Sequence, residues 1–198
     1  MGREFTPFEV GERFRISPPG SSGSRDGRID LVMAPGAFGS GEHETSASCL
    51  ELLAELPDLE DARVLDLGSG TGILAIAALK LGARSALCVD VDPVAVRTCK
   101  LNCELNGVGE RVAHLCGAID EAPAEPFEMV LANIYGDILL RVAGELVART
   151  RPGGTLLLSG ILHEDDFEVR RRYQELGCSV LRSRPLEEFN TVLLRRGS

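Results

Sequence analysis

The residues with the clearest chemical potential lie in one short run, Asp66-Leu67-Gly68-Ser69-Gly70-Thr71-Gly72. Glycine lets a backbone turn sharply and approach a ligand with no Cβ in the way. The apolar run Val64-Leu65-Asp66-Leu67 reads as a short buried strand, and Ile73 to Leu81 reads as a helix closed by Gly82. A glycine turn between strand and helix is where open parallel sheets take ligands, and the following helix offers free amides. The spacing is G-x-G-x-G; the residue three after Gly70 is Ile73, so the dinucleotide fingerprint is not met and a pyrophosphate is disfavoured. The next strand ends in Val89-Asp90, and a carboxylate about 20 residues past the turn can accept both ribose hydroxyls. Each feature alone is a common strand-to-helix link or helix cap. Together they describe a pocket for an adenosine cofactor, and the missing pyrophosphate spacing points to S-adenosylmethionine. Asp66, Gly68, Gly70, Gly72 and Asp90 are its expected binding residues here. Asp92, followed by Pro93, reads instead as a helix cap.

The elements that must position these groups alternate regularly. Strands are predicted over 64–67, 85–91, 111–116, 127–132, 155–159, 179–184 and 191–195. Helices are predicted over 73–81, 93–106, 138–150 and 165–176, the third broken by Pro152-Gly153-Gly154. The last two strands read as an antiparallel pair. This pattern implies an α/β fold: a Rossmann-like, seven-stranded, mostly parallel sheet with an antiparallel C-terminal hairpin and helices on both faces. Upstream, Phe14-Arg15-Ile16 and Ile29 to Val32 read as a hairpin-like pair around a turn-rich loop, Pro18 to Gly27. Ala34 to Glu44 is glycine-rich, and Ser46 to Leu56 has helical spacing ended by Pro57.

The 198 residues suit one domain with a full core. A net charge of −9 without a sustained basic run argues against a nucleic-acid partner and suits a small molecule or a basic protein. Arg170, Arg171 and Arg172 sit among acidic residues and read as a solvated helix face. No apolar run approaches the ~20 residues that cross a bilayer, and no secretory signal is visible. Met1-Gly2 with Thr6 fits the loose myristoylation pattern and reads as chance. The six cysteines contain no Cys-x-x-Cys pair. Cys99 and Cys103 share a helix face by spacing, but the nearest histidine, His114, falls in another element, so no metal site is expected. Reduced, mostly buried cysteines fit a cytoplasmic protein.

Longer motifs carry a resemblance. Residues 34–49 read Ala-Pro-Gly-Ala-Phe-Gly-Ser-Gly-Glu-His-Glu-Thr-Ser-Ala-Ser-Cys, which is similar to the Phe-Gly-Thr-Gly-x-His-x-Thr-Thr motif of the lysine methyltransferases of large-subunit ribosomal protein eleven. Residues 72–82, Asp90-Val91-Asp92-Pro93, Leu131-Ala132-Asn133-Ile134 and Leu158-Ser159-Gly160-Ile161-Leu162 resemble the same family, within the class I methyltransferases. The resemblance runs from about Phe8 onward. It implies that Ser46 stands where a Thr hydroxyl contacts the cofactor, and that Phe38, Gly39 and Thr45 line the same site. It further implies that Gly68 lies against the cofactor, Asp90 holds its ribose, Gly117-Ala118 flank its adenine and Asn133 sits beside methyl transfer. The chain departs from the family at Ala34, usually Asp, and at Glu44, usually Pro. The family also carries a separate N-terminal substrate-presenting domain, and this chain starts near where that domain would join. Leu101-Asn102-Cys103-Glu104-Leu105-Asn106 resembles the related lysine methyltransferase of electron transfer flavoprotein, which lacks such a domain. Residues 1–45 are expected to form an N-terminal extension and glycine-rich lid, and 46–198 the methyltransferase domain, within one globular unit.

The expected reaction is N-methylation of a protein lysine, such as one on a ribosomal protein. Its amine must be neutral to attack, whereas a free lysine has a pKa of about 10.4. The Asn133 side-chain oxygen and the Ile134 carbonyl can accept hydrogen bonds from that amine, the proton leaving to water. His43 is the obvious general base; the plainer reading, preferred here, is that it braces the glycine loop. Phe38-Gly39-Ser40-Gly41 is expected to act as a lid. Tyr135 either lines the pocket or lies exposed, Asp137 is expected to cap the helix at Ile138, and His114 and His163 to be superficial or structural. Small-molecule N- or O-methylation and a non-catalytic cofactor-binding module are the alternatives. A nucleic-acid amine methyltransferase would place Pro-Pro-aromatic after the Asn, and a nicotinamide enzyme needs the other glycine spacing.

Overall fold

Successive residues of the central strands belong to two different hydrophobic cores. Val64, Met129, Leu131 and Leu157 pack on one face of a sheet, and Leu65, Val130, Ala132, Leu156 and Leu158 on the other. A strand alternates sides at every residue, so a sheet covered on both faces needs near-continuous apolar strands. The computed structural model describes residues 5–34, 43–57 and 59–198. Its elements are β1 (Phe8–Val10), β2 (Phe14–Ser17), β3 (Ile29–Val32), α1 (Glu44–Glu55), β4 (Arg63–Leu67), α2 (Ile73–Lys80), β5 (Ser85–Asp90) and α3 (Pro93–Leu105). There follow β6 (Val112–Cys116), β7 (Phe127–Asn133), α4 (Gly136–Arg141), α5 (Ala143–Arg149), β8 (Thr150–Leu162), α6 (Asp166–Glu175), β9 (Cys178–Pro185) and β10 (Phe189–Arg196).

The seven-stranded sheet has the order β6-β5-β4-β7-β8-β10-β9, with β10 antiparallel to both neighbours and the first five strands parallel. The expected architecture is therefore present. Strand order reverses between β4 and β7, and such a switch point opens a crevice at the carboxyl ends of the strands. Every residue from Ile73 to Leu79 of α2 is buried, as a helix apolar all round must be.

Three expectations are corrected. First, β2 and β3 run parallel, not as a hairpin, with Phe14 opposite Ile29 and Ser17 opposite Val32. The antiparallel partner of β2 is β1, reached through a tight turn in which Gly11 has φ 54°. The connection 18–28 folds back on itself: Asp30 accepts the Ser24 amide at 2.7 Å, and Arg15 donates to the Ser22 carbonyl at 2.8 Å. Val10, Phe14, Ile16, Leu31 and Met33 enter the same core as α1 and α2, so this small sheet packs on the main one. Second, the helix predicted over 138–150 is kinked at Val142 into α4 and α5, with hydrogen bonds continuing across the kink. Third, β8 begins at Thr150. Its register with β7 jumps from Phe127–Thr150 to Met129–Thr155, so Pro152-Gly153-Gly154 form an irregularity inside the strand; proline has no amide to donate there.

Arg170, Arg171 and Arg172 do form a solvated face of α6, paired with Asp166 and Glu175. Among the described residues no helix is long and apolar enough to cross a membrane.

Candidate cofactor and acceptor site

At the switch point, Gly68, Gly70 and Gly72 have φ of 67°, 53° and 79°, a backbone region that side-chain-bearing residues resist. The Gly68 and Ser69 amides both donate to the Val89 carbonyl, at 2.8 and 3.2 Å, which folds the turn onto the end of β5. Gly68 is required twice over, because a Cβ there would also overlap Ile134 Cγ2. Asp90 is clamped beside the turn: the Gly70 amide donates to Oδ2 at 2.9 Å and the Asp92 amide to Oδ1 at 3.0 Å. Two charge-assisted bonds fix one rotamer, and each oxygen keeps a lone pair for a further donor. Asp92 caps α3 through the Val94 amide at 2.8 Å, as expected. Gly117 donates to the Asp90 carbonyl at 3.0 Å, so Gly117-Ala118 reach the same crevice. Val91, next to Asp90, is 73% exposed, an apolar face suited to a flat base.

Asp66 is packed against the first turn of α2. It is 2% exposed, and its carboxylate accepts the Ala75 amide in the first turn of α2 at 3.3 Å. Burial pushes its carboxyl well above the usual range, and the neighbouring Asp90 carboxylate pushes it the same way. Its visible role is to brace the turn. A second brace comes from Asn102 on α3, which is fully buried. Its Nδ2 donates to the Thr71 carbonyl and its Oδ1 accepts the Ala34 amide, both at 2.9 Å. One turn later, Asn106 pairs with both the amide and the carbonyl of Val32. The glycine turn and the strand leading to residues 35–42 are thus tied to one helix.

On the other side of the crevice, Asn133 ends β7 and donates from Nδ2 to Ser46 Oγ at 3.3 Å. Ser46 is 3% exposed on α1. His43 is the N-cap of α1: Nδ1 lies 2.9 Å from Thr45 Oγ1 and accepts the Thr45 amide at 3.4 Å, while the ring meets Phe189 edge-on. This is a bracing geometry, with one ring nitrogen occupied by the cap. Asn133, Ile134, Tyr135, Ile138, Gly160 and Phe189, with His43 and Thr45, enclose a cavity of about 190 Å³. Tyr135 both lines it and is 59% exposed. Asp137 does not cap a helix at Ile138, because α4 starts at Gly136; the side chain lies inside the first turn and pairs with Arg141. The predicted lid, with Phe38 and Gly39, lies outside the described residues. His163 bonds the carbonyls of Leu186 and Glu187. All six cysteines are free, and all but Cys116 are buried. His114, which the sequence placed apart from them, is brought within 4.8 Å of Cys88 and Cys99.

Gly160, Phe189 and Asn102 were not foreseen as site residues, and Ile134 was expected only through its carbonyl. Ile134 supports Gly68 with its side chain, and a Cβ on Gly160 would meet the Ile134 carbonyl at 2.6 Å. Phe189 reaches the cavity from the far end of the chain, with no local signal. Asn102 was legible only as an Asn-x-x-x-Asn repeat on α3, the spacing that places two side chains on one helix face.

The family described as ribosomal protein L11 methyltransferase (PrmA) matches residues 2–196. The ribosomal protein L11 methyltransferase of Trichlorobacter lovleyi is 41% identical over 199 residues, covering 97% of this chain and 65% of its own. That of Chromohalobacter salexigens is 42% identical over 190 residues, covering 96% of this chain and 62% of its own. The chain therefore spans 62–65% of the length of these curated relatives. The crystal structure of ribosomal protein L11 methylase from Lactobacillus delbrueckii subsp. bulgaricus matches with a TM-score of 0.87 over 98% of this chain and 99% of that one, at 23% identity, a shared fold. With a match across nearly every residue and relatives above 40% identity, the chain belongs to the ribosomal protein L11 methyltransferase family.

Proposed function

We propose that this chain binds S-adenosylmethionine in the crevice between the glycine turn and Asp90 and methylates an amine presented at Asn133. The relatives' names make ribosomal protein L11 the first acceptor to try. The observation that carries the reading is the placement of Asn133. Its Nδ2 is committed to Ser46, so its side-chain oxygen is the acceptor left for an amine, at the edge of the 190 Å³ cavity.

The crevice fits the cofactor. Asp90 offers fixed lone pairs to ribose hydroxyls, the turn from Gly68 to Gly70 presents backbone without side chains, and Val91 and Ala118 offer apolar contact to the base. When bound, S-adenosylmethionine supplies a methyl group activated by its sulfonium. The protein's own contribution is alignment, desolvation and proton handling. The cavity is smaller than the ~300–1,000 Å³ of typical small-molecule pockets and suits a single extended side chain. Its apolar walls, Ile134, Ile138 and Phe189, favour a neutral amine over an ammonium. Asn133 Oδ1 and the Ile134 carbonyl orient the nitrogen and have no basicity to remove its proton, which passes to water. Fixed alignment of this kind is worth up to ~7–11 kcal/mol. His43 acts as the cap that holds α1, and through it Ser46, in place. Asp66 positions the turn.

Calorimetry with S-adenosylmethionine and S-adenosylhomocysteine, followed by radiolabelled methyl transfer to purified ribosomal protein L11 and to a lysate lacking this protein, tests the reading. Asn133→Ala should lower turnover at least about tenfold, some 1.4 kcal/mol of barrier, while cofactor affinity changes much less. Equal losses in both would remove Asn133 from the reaction. Absence of cofactor binding would remove the whole assignment.

A further inference from the structure

Cys88 on β5 and His114 on β6 are directly paired across the parallel strands, so their side chains leave the same face of the sheet. That face is covered by α3, which brings Cys99 down onto them. One sulfur from each cysteine and a ring nitrogen of His114 lie within 4.8 Å of one another. Thiolates ~2.3 Å from a tetrahedral zinc stand about 3.8 Å apart, so closing on an ion needs movement of roughly an ångström or less. Cys88 and Cys99 are essentially inaccessible, at 1% and 0% exposed. The buried Nδ1 of His114 has no hydrogen-bond partner at normal distance among the described residues, and the group its ring interacts with is the Cys99 thiol. His114 also lines an open cleft of about 570 Å³ with Lys100, Glu104, Glu110 and Val112, so one member of the cluster faces the surface.

We propose that Cys88, Cys99 and His114 form a binding site for a thiophilic cation of the zinc class, separate from the methyl-transfer crevice. Two sulfurs with one imidazole are a soft donor set, unsuited to magnesium or calcium. Coordination releases the two thiol protons to solvent and leaves a neutral imidazole on the ion. The site touches the cofactor turn from behind: a Cβ on Gly72 would meet Cys99 Sγ at 2.5 Å. An ion holding Cys99 would therefore stiffen the support of that turn.

The test uses the reduced, chelator-treated chain and cobalt(II) as the probe. One equivalent should bind with thiolate-to-cobalt charge transfer and strong tetrahedral d–d absorption, both displaced by zinc. Cys88→Ser and Cys99→Ser should each lose half or more of the charge-transfer intensity, and His114→Ala should weaken binding roughly tenfold or more. Cys116→Ser, at the exposed cysteine, should bind normally. Zinc should raise the thermal midpoint of the parent chain more than that of His114→Ala at the same concentration. His114 sits at the rim of the cluster, so this variant decides the matter even where loss of a buried thiol prevents folding. A parent chain that shows no thiolate band, or a band that survives in folded His114→Ala with unchanged affinity, overturns the site.

Discussion

Replacing Asn102 with leucine isolates the link between α3 and the cofactor turn. The two side chains have similar volumes, so little cavity is created. What is lost is two hydrogen bonds at 2.9 Å, one to the Thr71 carbonyl and one from the Ala34 amide, at a position with no solvent access. Stranding a buried backbone group costs ~1–3 kcal/mol, so two together cost roughly 2–6. Burial of the leucine side chain returns about 1.5–3 kcal/mol. At the midpoints of those ranges the net loss is about 2 kcal/mol, a large share of the ~5–15 that folds a domain. For a chain of this size that lowers the melting midpoint by roughly 4–8 °C. Urea unfolding gives the free energy, and calorimetry with S-adenosylhomocysteine gives the functional consequence. Asn106→Leu is the comparison, since Asn106 also holds β3 but makes no bond to the turn. Both variants should lose stability; only Asn102→Leu should also weaken the cofactor, because only it breaks the bond to the Thr71 carbonyl. If Asn102→Leu unfolds within about 0.5 kcal/mol of the parent and binds the cofactor equally well, the bracing argument is wrong.

Two further outcomes follow from the same geometry. Gly68→Ala should destabilise by about 2–5 kcal/mol, combining left-handed strain with overpacking on Ile134, and abolish cofactor binding. Adding Ile134→Ala should recover part of the stability by removing the clash but not the strain; urea unfolding of the pair measures it, and no recovery would show that Ile134 is not what Gly68 avoids. For Asp66, burial raises the native carboxyl above the unfolded value of about 3.9. The folded chain then holds the proton more tightly, so between that value and the higher native one stability falls as pH rises, by up to about 1.4 kcal/mol per unit. Asp66→Asn can still accept the Ala75 amide and carries no such proton. Its melting midpoint relative to the parent should therefore climb from pH 4 upward, and parallel curves would refute a buried, proton-holding Asp66.

Much of this was legible from residue order, because its causes are local. A glycine turn needs only its own φ angles, and Asp92 caps α3 from one residue before Pro93. Apolar strands alternating with helices leave few topologies open, and the observed sheet is one of them. The errors arose where a local pattern had more than one tertiary solution. Two short apolar strands around a loop fit a hairpin as well as the parallel pair observed, and the choice was made by the folding of residues 18–28 around Asp30.

The sequence by itself therefore determined the sheet, the turn at its switch point and the acidic partner of that turn, since each is written in neighbouring residues. Only the tertiary structure decided that Phe189 walls the cavity and that Asn102 ties the turn to the N-terminal strand. It alone carried His114 to the cysteines of α3 and β5. Those relations join residues far apart in the chain, and chain closure, not residue type, sets which of them meet.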